Sequence, residues 1–195
     1  MLYQNVRGLC SKSVEFFNSV SSNYFDFIAV SETWLKPDIF DNELFPHNFV
    51  VHRNDRNLAE LGLSKGGGVL LAVSNQYNST KLDLSSITSL VPIVDIVGVK
   101  ITGKFSQKLL IFVLYIPPSI TLAEFELFFE TFINLDFIQN EKLIILGDFN
   151  TPDFSLNLKT NSNLVLNNFK EFYNISQYNN VSNSMGRLLD LVFSN

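Results

Sequence analysis

Short apolar runs, each bounded by polar or glycine-rich segments, are the feature of this sequence that most constrains its fold. Runs of roughly four to eight apolar residues are typical of buried β-strands. A turn over Gly103–Gln107 is predicted to join Ile93–Thr102 to Lys108–Ile116 as an antiparallel hairpin. The remaining strands are predicted at Met1–Val6, Phe25–Ser31, Phe49–Arg53, Gly67–Ser74, Lys142–Leu146 and Arg187–Phe193.

Helical segments alternate with these strands. Thr121 is a predicted N-cap and Glu124 follows in the sequence, so a capping box opens a helix over Leu122–Leu135. Ser13–Ser21 and Leu164–Tyr173 are the other predicted helices. Because most strands are apolar on both faces, both faces must be covered. The pattern predicts the α/β class, as a four-layered sandwich in which helices cover two packed sheets of mixed or antiparallel strands.

The composition predicts one well-packed domain. The chain has 195 residues, of which 46% are hydrophobic and 17% charged, and no linker divides residues 1–195. Cys10 is the only cysteine and has only His47 and His52 beside it, so neither an intrachain disulfide nor a Cys/His zinc site is expected. This cysteine usage favours an intracellular protein. The longest apolar run, Leu109–Ile116, is too short to span a bilayer.

Polar residues recur where the predicted strands end. Asn5 and Glu32 follow the first two strands, Asp148 and Asn150 follow a later one, and Asp190 lies inside the last. A carboxylate in an apolar strand is costly to bury unless it is paired or holds a metal. If these groups converge, their hard oxygen atoms suit Mg²⁺ or Mn²⁺, which can neutralise and polarise a phosphate. The net charge of −5 is unusual for a DNA-binding protein, and such a site would contribute to it.

The glycine run Gly66-Gly67-Gly68 does not predict a nucleotide-binding phosphate loop. Lys65 precedes the glycines, no Gly-Lys-Ser/Thr sequence follows them, and the segment enters a strand rather than a helix. The glycines instead favour a turn or a close approach of the backbone to another group.

Several short motifs occur in one order along the chain: NVRG, SETWL, GGG entering an apolar strand, YIPP, GDFN and RLLDLVFSN. Each motif alone is weak, whereas the ordered set is specific. The chain resembles the endonuclease/exonuclease/phosphatase superfamily. More narrowly, it resembles the apurinic-type endonuclease domain at the start of non-LTR (jockey-like) retrotransposon polyproteins. The resemblance extends over nearly the whole chain.

The resemblance implies a role for each motif residue. Asn5 and Glu32 would lie on the metal side of the site, with Glu32 as the direct ligand of Mg²⁺ or Mn²⁺. Tyr115, in YIPP, would contact the scissile phosphate. In GDFN, Asp148 would orient or deprotonate the attacking water, and Asn150 would hold the phosphate.

Further residues have implied or candidate roles around that centre. Asp190 matches the aspartate that orients the catalytic histidine of the family, and Ser182, in NVSNS, falls near a hydroxyl residue used for phosphate or DNA contact. Arg53 and Arg56, in HRNDR, are candidate contacts to DNA phosphates. The alternatives for these two arginines are pairing with Asp55 or exposure to solvent.

The resemblance also implies elements that this sequence does not contain. The family closes on a Ser-Asp-His triplet in one further strand, whereas this sequence begins inside the first strand and stops at Asn195. His47 and His52 lie far from the last motif and are not expected to replace that histidine. We therefore expect a domain that is incomplete at both ends and lacks its C-terminal strand. We expect it to be nearly inactive, because such catalytic groups contribute roughly 10²–10⁴-fold each.

The activity that the resemblance implies is metal-dependent hydrolysis of a phosphodiester bond. It would nick one strand of DNA, which a reverse transcriptase then extends in target-primed reverse transcription. The implied partners are DNA and, in a full-length parent protein, a C-terminal reverse transcriptase and the element RNA. A monomeric domain in the nucleus, with no membrane, is expected. Two alternatives stay open: a catalytically dead retroelement relic, and a phosphatase of the same superfamily.

Overall fold

The computed structural model describes residues 1–103, 107–152, 154 and 158–195, and its strands form two sheets. In the first sheet, β1 runs parallel to its neighbour β2, and β4 is antiparallel to both β2 and β3. The order across this sheet is β1-β2-β4-β3. These strands are β1 (Leu2–Asn5), β2 (Phe27–Ser31), β3 (Phe49–Asn54) and β4 (Val69–Ser74).

The second sheet has the order β5-β6-β7-β8-β10-β9. Its strands are β5 (Asn78–Lys81), β6 (Asp95–Thr102), β7 (Lys108–Tyr115), β8 (Lys142–Asp148), β9 (Ser176–Gln177) and β10 (Asp190–Ser194). β7 and β8 are parallel, and the other neighbours are antiparallel. The β6–β7 pairing confirms the predicted hairpin, whose turn residues 104–106 lie outside the described residues.

Local capping determines where two of the helices begin. The Thr121 hydroxyl accepts from Glu124 N at 3.3 Å, and the Glu124 carboxylate accepts from Thr121 N at 2.9 Å, which confirms the capping box. The last helix begins earlier than the predicted Leu164, because the Thr160 hydroxyl caps it through Asn163 N at 3.4 Å. No described helix is long and apolar enough to cross a membrane. The helices are α1 (Ser13–Ser22), α2 (Ser85–Thr88), α3 (Leu122–Ile133) and α4 (Asn161–Phe172).

Buried apolar clusters lie at each interface between the layers. Phe16 of α1 packs on Ile28 of the first sheet, whereas Ala29, the next residue of β2, faces Val113 of the second sheet. This alternation arises because successive side chains of a strand point to opposite faces. The outer face of the second sheet is covered by α3 and α4 through the rings of Phe125, Phe128, Phe129, Phe132 and Phe169. The predicted four-layered α/β sandwich is confirmed.

The sequence did not indicate β5, α2 or β9. The strand β5 is polar and pairs with β6 at one edge of the second sheet. The strand β9 pairs over two residues with β10. The short helix α2 has one buried side chain, Ile87. These elements form because a neighbouring strand or core offers them partners, which an apolar pattern does not reveal.

Candidate active site

Three of the predicted site residues meet where strands of both sheets end. Asn5 ends β1, Glu32 follows β2, and Asp148 ends β8. The side-chain amide of Asn5 donates from Nδ2 to Glu32 Oε1 at 2.9 Å and to Asp148 Oδ2 at 2.8 Å. One amide therefore joins carboxylates carried by different sheets, so the structure brings these three strand-end residues together.

Asp190 joins the same cluster through a residue that the sequence analysis did not single out. Asp190 lies opposite Asp148 in the β10–β8 register. The hydroxyl of Tyr3 donates to Asp190 Oδ1 at 2.7 Å and lies 2.9 Å from the hydroxyl of Ser31. Burial, followed by the charge of Asp190, raises the pKa of Tyr3 well above its usual value, so the phenol stays a donor. The signal for Tyr3 was its spacing of two from Asn5, which places both side chains on one face of β1.

Asn150 and Tyr115 lie beside the Asp148 carboxylate. Asn150 N donates to Asp148 Oδ1 at 3.1 Å, and Asn150 Nδ2 donates to Ile116 O at 2.8 Å. Tyr115 is paired with Asp148 in the β7–β8 register. Burial, and then the negative charge of Glu32, raise the pKa of Tyr115 to about 12, so its hydroxyl remains protonated near neutral pH.

Backbone strain is concentrated in this region. Arg7, Glu32, Trp34 and Asn150 have φ values of 47°, 53°, 52° and 49°, in the left-handed region that non-glycine residues rarely occupy. Backbone hydrogen bonds maintain these conformations, among them Gly8 N to Glu32 O at 2.8 Å. Each such residue costs on the order of 1–3 kcal/mol, and strain of this kind accumulates at functional sites.

The negative charges of the clustered carboxylates act on one another, and the positive charge of Arg7 offsets them in part at Asp190. Burial, the charge of Asp190 and the charge of Glu32 raise the pKa of Asp148 to about 7, although hydrogen bonds from Asn150 and Asn5 oppose this. Burial also raises the pKa of Asp190, against the Tyr3 hydrogen bond. Among the described residues, no Lys or Arg forms an ion pair with any of these three carboxylates. A cation in the cluster would relieve their repulsion.

The donor chemistry fits a hard divalent cation. The carboxylate oxygens of Glu32 and Asp148 converge on the Asn5 side chain, and Asn5 Oδ1 accepts a hydrogen bond from Arg7 N at 3.2 Å. Carboxylate and amide oxygens are the ligands that Mg²⁺ and Mn²⁺ prefer. In the described part of the chain, however, no three His, Cys, Asp or Glu side chains lie close enough together to enclose an ion. The Asn5 amide lies between Glu32 and Asp148, so metal binding would require their side chains to rotate away from it.

The predicted DNA-contact residues lie outside the cluster. Arg53 forms ion pairs with Asp55 at 2.8 Å and Asp41 at 3.0 Å, which is the pairing alternative from the sequence. Arg56 forms a buried ion pair with Asp95 at 2.7 Å. Ser182 is exposed, in a segment after β9. Their DNA contacts stay predictions.

Neither histidine joins the cluster. His52 lies on β3, the outer strand of the first sheet, and its Nε2 is 2.9 Å from the hydroxyl of Ser79 on β5. His47 lies in the segment that precedes β3. The strand β1, which carries Asn5, forms the opposite edge of the same sheet. That neither histidine acts in catalysis stays a prediction.

A layered α/β fold with carboxylates and amides gathered at its strand ends defines a class of hydrolases that can act with a metal ion. The chain belongs to the Endonuclease/Exonuclease/phosphatase family, whose sequence profile matches residues 2–195. Members of this family are hydrolytic nucleases and phosphatases. Among curated proteins, none matches the chain significantly in sequence.

Solved structures share the fold at low sequence identity. The endonuclease domain of TRAS1, a telomere-specific non-LTR retrotransposon, superposes with a TM-score of 0.68 at 12% identity, covering 98% of this chain and 82% of that one. The catalytic domain of Xenopus laevis APE2 gives a TM-score of 0.65 at 14% identity, covering 99% and 81%. The Neisseria 3′ phosphatase NExo, bound to a product DNA hairpin, gives 0.61 at 14% identity, covering 98% and 84%.

Proposed function

We propose that the site catalyses metal-dependent hydrolysis of phosphodiester bonds in DNA, as an endonuclease that nicks one strand. The observation that carries this proposal is the junction of Asn5 with Glu32 and Asp148, because it gathers oxygen ligands from both sheets at one point. The family and the DNA-bound 3′ phosphatase support nucleic acid as the substrate. The similarity to the TRAS1 endonuclease domain supports a retroelement role. A reverse transcriptase and element RNA as partners, and a nuclear location, are further parts of this proposal.

Each residue of the cluster has a step that its chemistry suits. Glu32 and Asn5 would hold Mg²⁺ or Mn²⁺, which when bound supplies positive charge against the phosphate. Asp148 accepts the proton of the attacking water, and the water oxygen bonds to phosphorus. The P–O3′ bond breaks and the leaving oxygen takes up a proton from solvent, so the nick carries a 5′-phosphate and the 3′-hydroxyl that a reverse transcriptase extends. Tyr115 and Asn150 donate hydrogen bonds to the phosphate oxygens.

Asp190 has a different role, because a hydrogen bond from Tyr3 fixes its orientation. The Tyr3 hydroxyl fixes one of its oxygens at 2.7 Å, which orients the carboxylate. In the family mechanism this aspartate orients a histidine, and neither His47 nor His52 lies at this site. We therefore propose that residues 1–195 alone cleave DNA slowly. The expected cleavage rate is roughly 10²–10⁴-fold lower than that of a site with the imidazole.

Binding of Mn²⁺, measured by electron paramagnetic resonance, tests the metal site independently of the rate. We expect Glu32→Gln to weaken Mn²⁺ binding about tenfold or more. The matched control is Glu141→Gln, since the Glu141 carboxylate precedes β8 at the end opposite Asp148 and forms a long pair with Lys108 at 3.7 Å. Equal Mn²⁺ affinities of the Glu32 variant and the unchanged protein would contradict the proposed site. Absence of Mn²⁺ binding by the unchanged protein would support the alternative of a dead relic.

The reaction products distinguish a nuclease from the alternative, a phosphatase of the same superfamily. The similarity to the 3′ phosphatase NExo favours that alternative. Concentrated protein with Mn²⁺ is incubated with supercoiled plasmid and, separately, with a 3′-phosphorylated oligonucleotide. We expect relaxed circles to form slowly, and Asp148→Asn to abolish them. Release of inorganic phosphate without nicking would assign a phosphatase instead.

A further inference from the structure

A buried ion pair lies beside the cluster and is formed by residues outside it. The side chains of Arg56, in the segment after β3, and Asp95, the first residue of β6, are 5% and 4% exposed. Arg56 Nη2 is 2.7 Å from Asp95 Oδ2, and Arg56 Nε donates to Asp95 Oδ1 at 3.3 Å. Arg56 Nη2 also donates to Ile93 O at 2.7 Å. The guanidinium is thereby fixed in position and in plane.

On one side, the pair supports the backbone turn that follows β2. Asp95 Oδ2 accepts a hydrogen bond from Gly68 N at 2.8 Å. The carbonyl oxygens of Gly67 and Gly68 accept in turn from Trp34 N at 2.9 Å and Thr33 N at 3.1 Å. This turn directly follows the metal-side glutamate, whose φ is positive. A strained turn of this kind persists only where its surroundings hold it.

The glycine run allows this close approach. A Cβ on Gly67 would lie 2.2 Å from Arg56 Nε and 2.4 Å from Asp95 Oδ2. A Cβ on Gly68 would lie 2.4 Å from Thr33 Oγ1. Only glycine therefore fits between the ion pair and the turn, which explains a motif that the catalytic cluster leaves unexplained.

On its other side, the pair contacts a residue of the second sheet. Arg56 Cζ lies 5.0 Å from the centroid of the Tyr115 ring. Asp95 is the partner of Tyr115 in the β6–β7 register. The ion pair thus binds Gly68, which in turn holds the turn after Glu32. It also contacts Tyr115, the register partner of Asp148.

We propose that Arg56 and Asp95 are positioning residues that fix Glu32 and Tyr115 relative to each other across the two sheets. This inference rests on the functions proposed above for those two residues. A buried ion pair adds little net stability compared with apolar side chains of similar volume. A planar guanidinium with fixed N–H directions does, however, impose distance and orientation on its partners. The pair therefore sets geometry more than it sets stability.

The single tryptophan, Trp34, reports on the turn without any metal. Its Nε1 donates to Glu32 Oε2 at 3.3 Å, so a displaced turn changes the surroundings of the ring. We expect Arg56→Lys and Asp95→Asn to shift Trp34 emission to longer wavelength, to increase its quenching by acrylamide, and to weaken Mn²⁺ binding about tenfold or more.

The matched control is Tyr173→Phe, which removes a hydrogen bond to Phe132 O of 3.1 Å in the distant α3–α4 layer. It should lower stability and leave both signals unchanged. A folded Asp95→Asn or Arg56→Lys protein with native Trp34 emission and native Mn²⁺ affinity would overturn the inference. If Asp95→Asn does not fold, Arg56→Lys, which keeps the charge, decides alone. If the unchanged protein binds no Mn²⁺, the proposed function fails, whereas Trp34 emission still decides whether the pair holds the turn.

Discussion

Replacing the Asp148 carboxylate by an amide tests the electrostatics of the cluster in the protein without metal. Burial and the charges of Asp190 and Glu32 raise the pKa of Asp148 from 3.8 to about 7. Over that interval the folded protein binds more protons than the unfolded chain. The stability that this group contributes is therefore fully present below its unfolded pKa and is lost as pH rises through its folded pKa.

The structure gives the size of the effect. Each unit of pKa difference corresponds to about 1.36 kcal/mol, so a shift of about three units amounts to about 4 kcal/mol. About two of these units lie above pH 5, so about 3 kcal/mol of stability is lost between pH 5 and pH 8. A domain with about 5–15 kcal/mol of total stability shows such a loss clearly.

Urea unfolding of the unchanged protein and of Asp148→Asn, in EDTA at about pH 5 and pH 8, measures the difference. The unchanged protein should lose about 3 kcal/mol more than the variant over this range. Carboxylates outside the cluster contribute equally to both proteins and cancel, whereas Asp190 is coupled to Asp148 through its charge and is part of the measured difference. Parallel losses of stability in the two proteins would refute the reasoning, because they would show that Asp148 does not titrate in this range.

Three further substitutions test how the fold holds the site. Gly147→Ala should destabilise the protein by several kcal/mol, because its Cβ would lie 2.0 Å from Leu114 O. Gly103→Ala, whose Cβ would come no closer than 3.8 Å to the described residues, should change the melting temperature little. Tyr3→Phe should cost about 1–3 kcal/mol in urea unfolding, since it leaves a partly buried carboxylate oxygen without its donor; unchanged stability would contradict that contact. Thr121→Ala should cost about 1 kcal/mol by removing an N-cap, and an equal melting temperature would show that the cap contributes nothing.

Much of the fold follows from local pattern. Apolar runs predicted most strands, because a strand buried on both faces requires apolar residues at successive positions. Thr121 and Glu124 predicted the start of α3, since a capping box needs only residues close in sequence. The weak elements were not predictable. The polar strand β5 forms because it can pair with the edge of β6, and the sequence of Asn78–Lys81 contains no pattern that indicates this pairing.

The sequence also indicated most of the cluster, because polar residues at the ends of apolar strands stand out. It did not indicate Tyr3, which resembles any aromatic residue of a strand. Nor did it distinguish Arg56 from Arg53 as the arginine that contacts Tyr115. Which cation lies near which ring depends on strand register and on the packing of one sheet against the other, and both join residues distant in the chain.

The sequence by itself therefore determined which residues stand at the strand ends and that their carboxylates require a partner. The tertiary structure decided which of these groups lie close together. Their proximity in turn sets their protonation states. Burial and Coulomb repulsion depend on distance and surroundings in space, so the raised pKa of Asp148 exists only when β8 and β10 lie side by side and the turn after β2 faces them. The pairing of Arg56 with Asp95 likewise depends on how the two sheets pack.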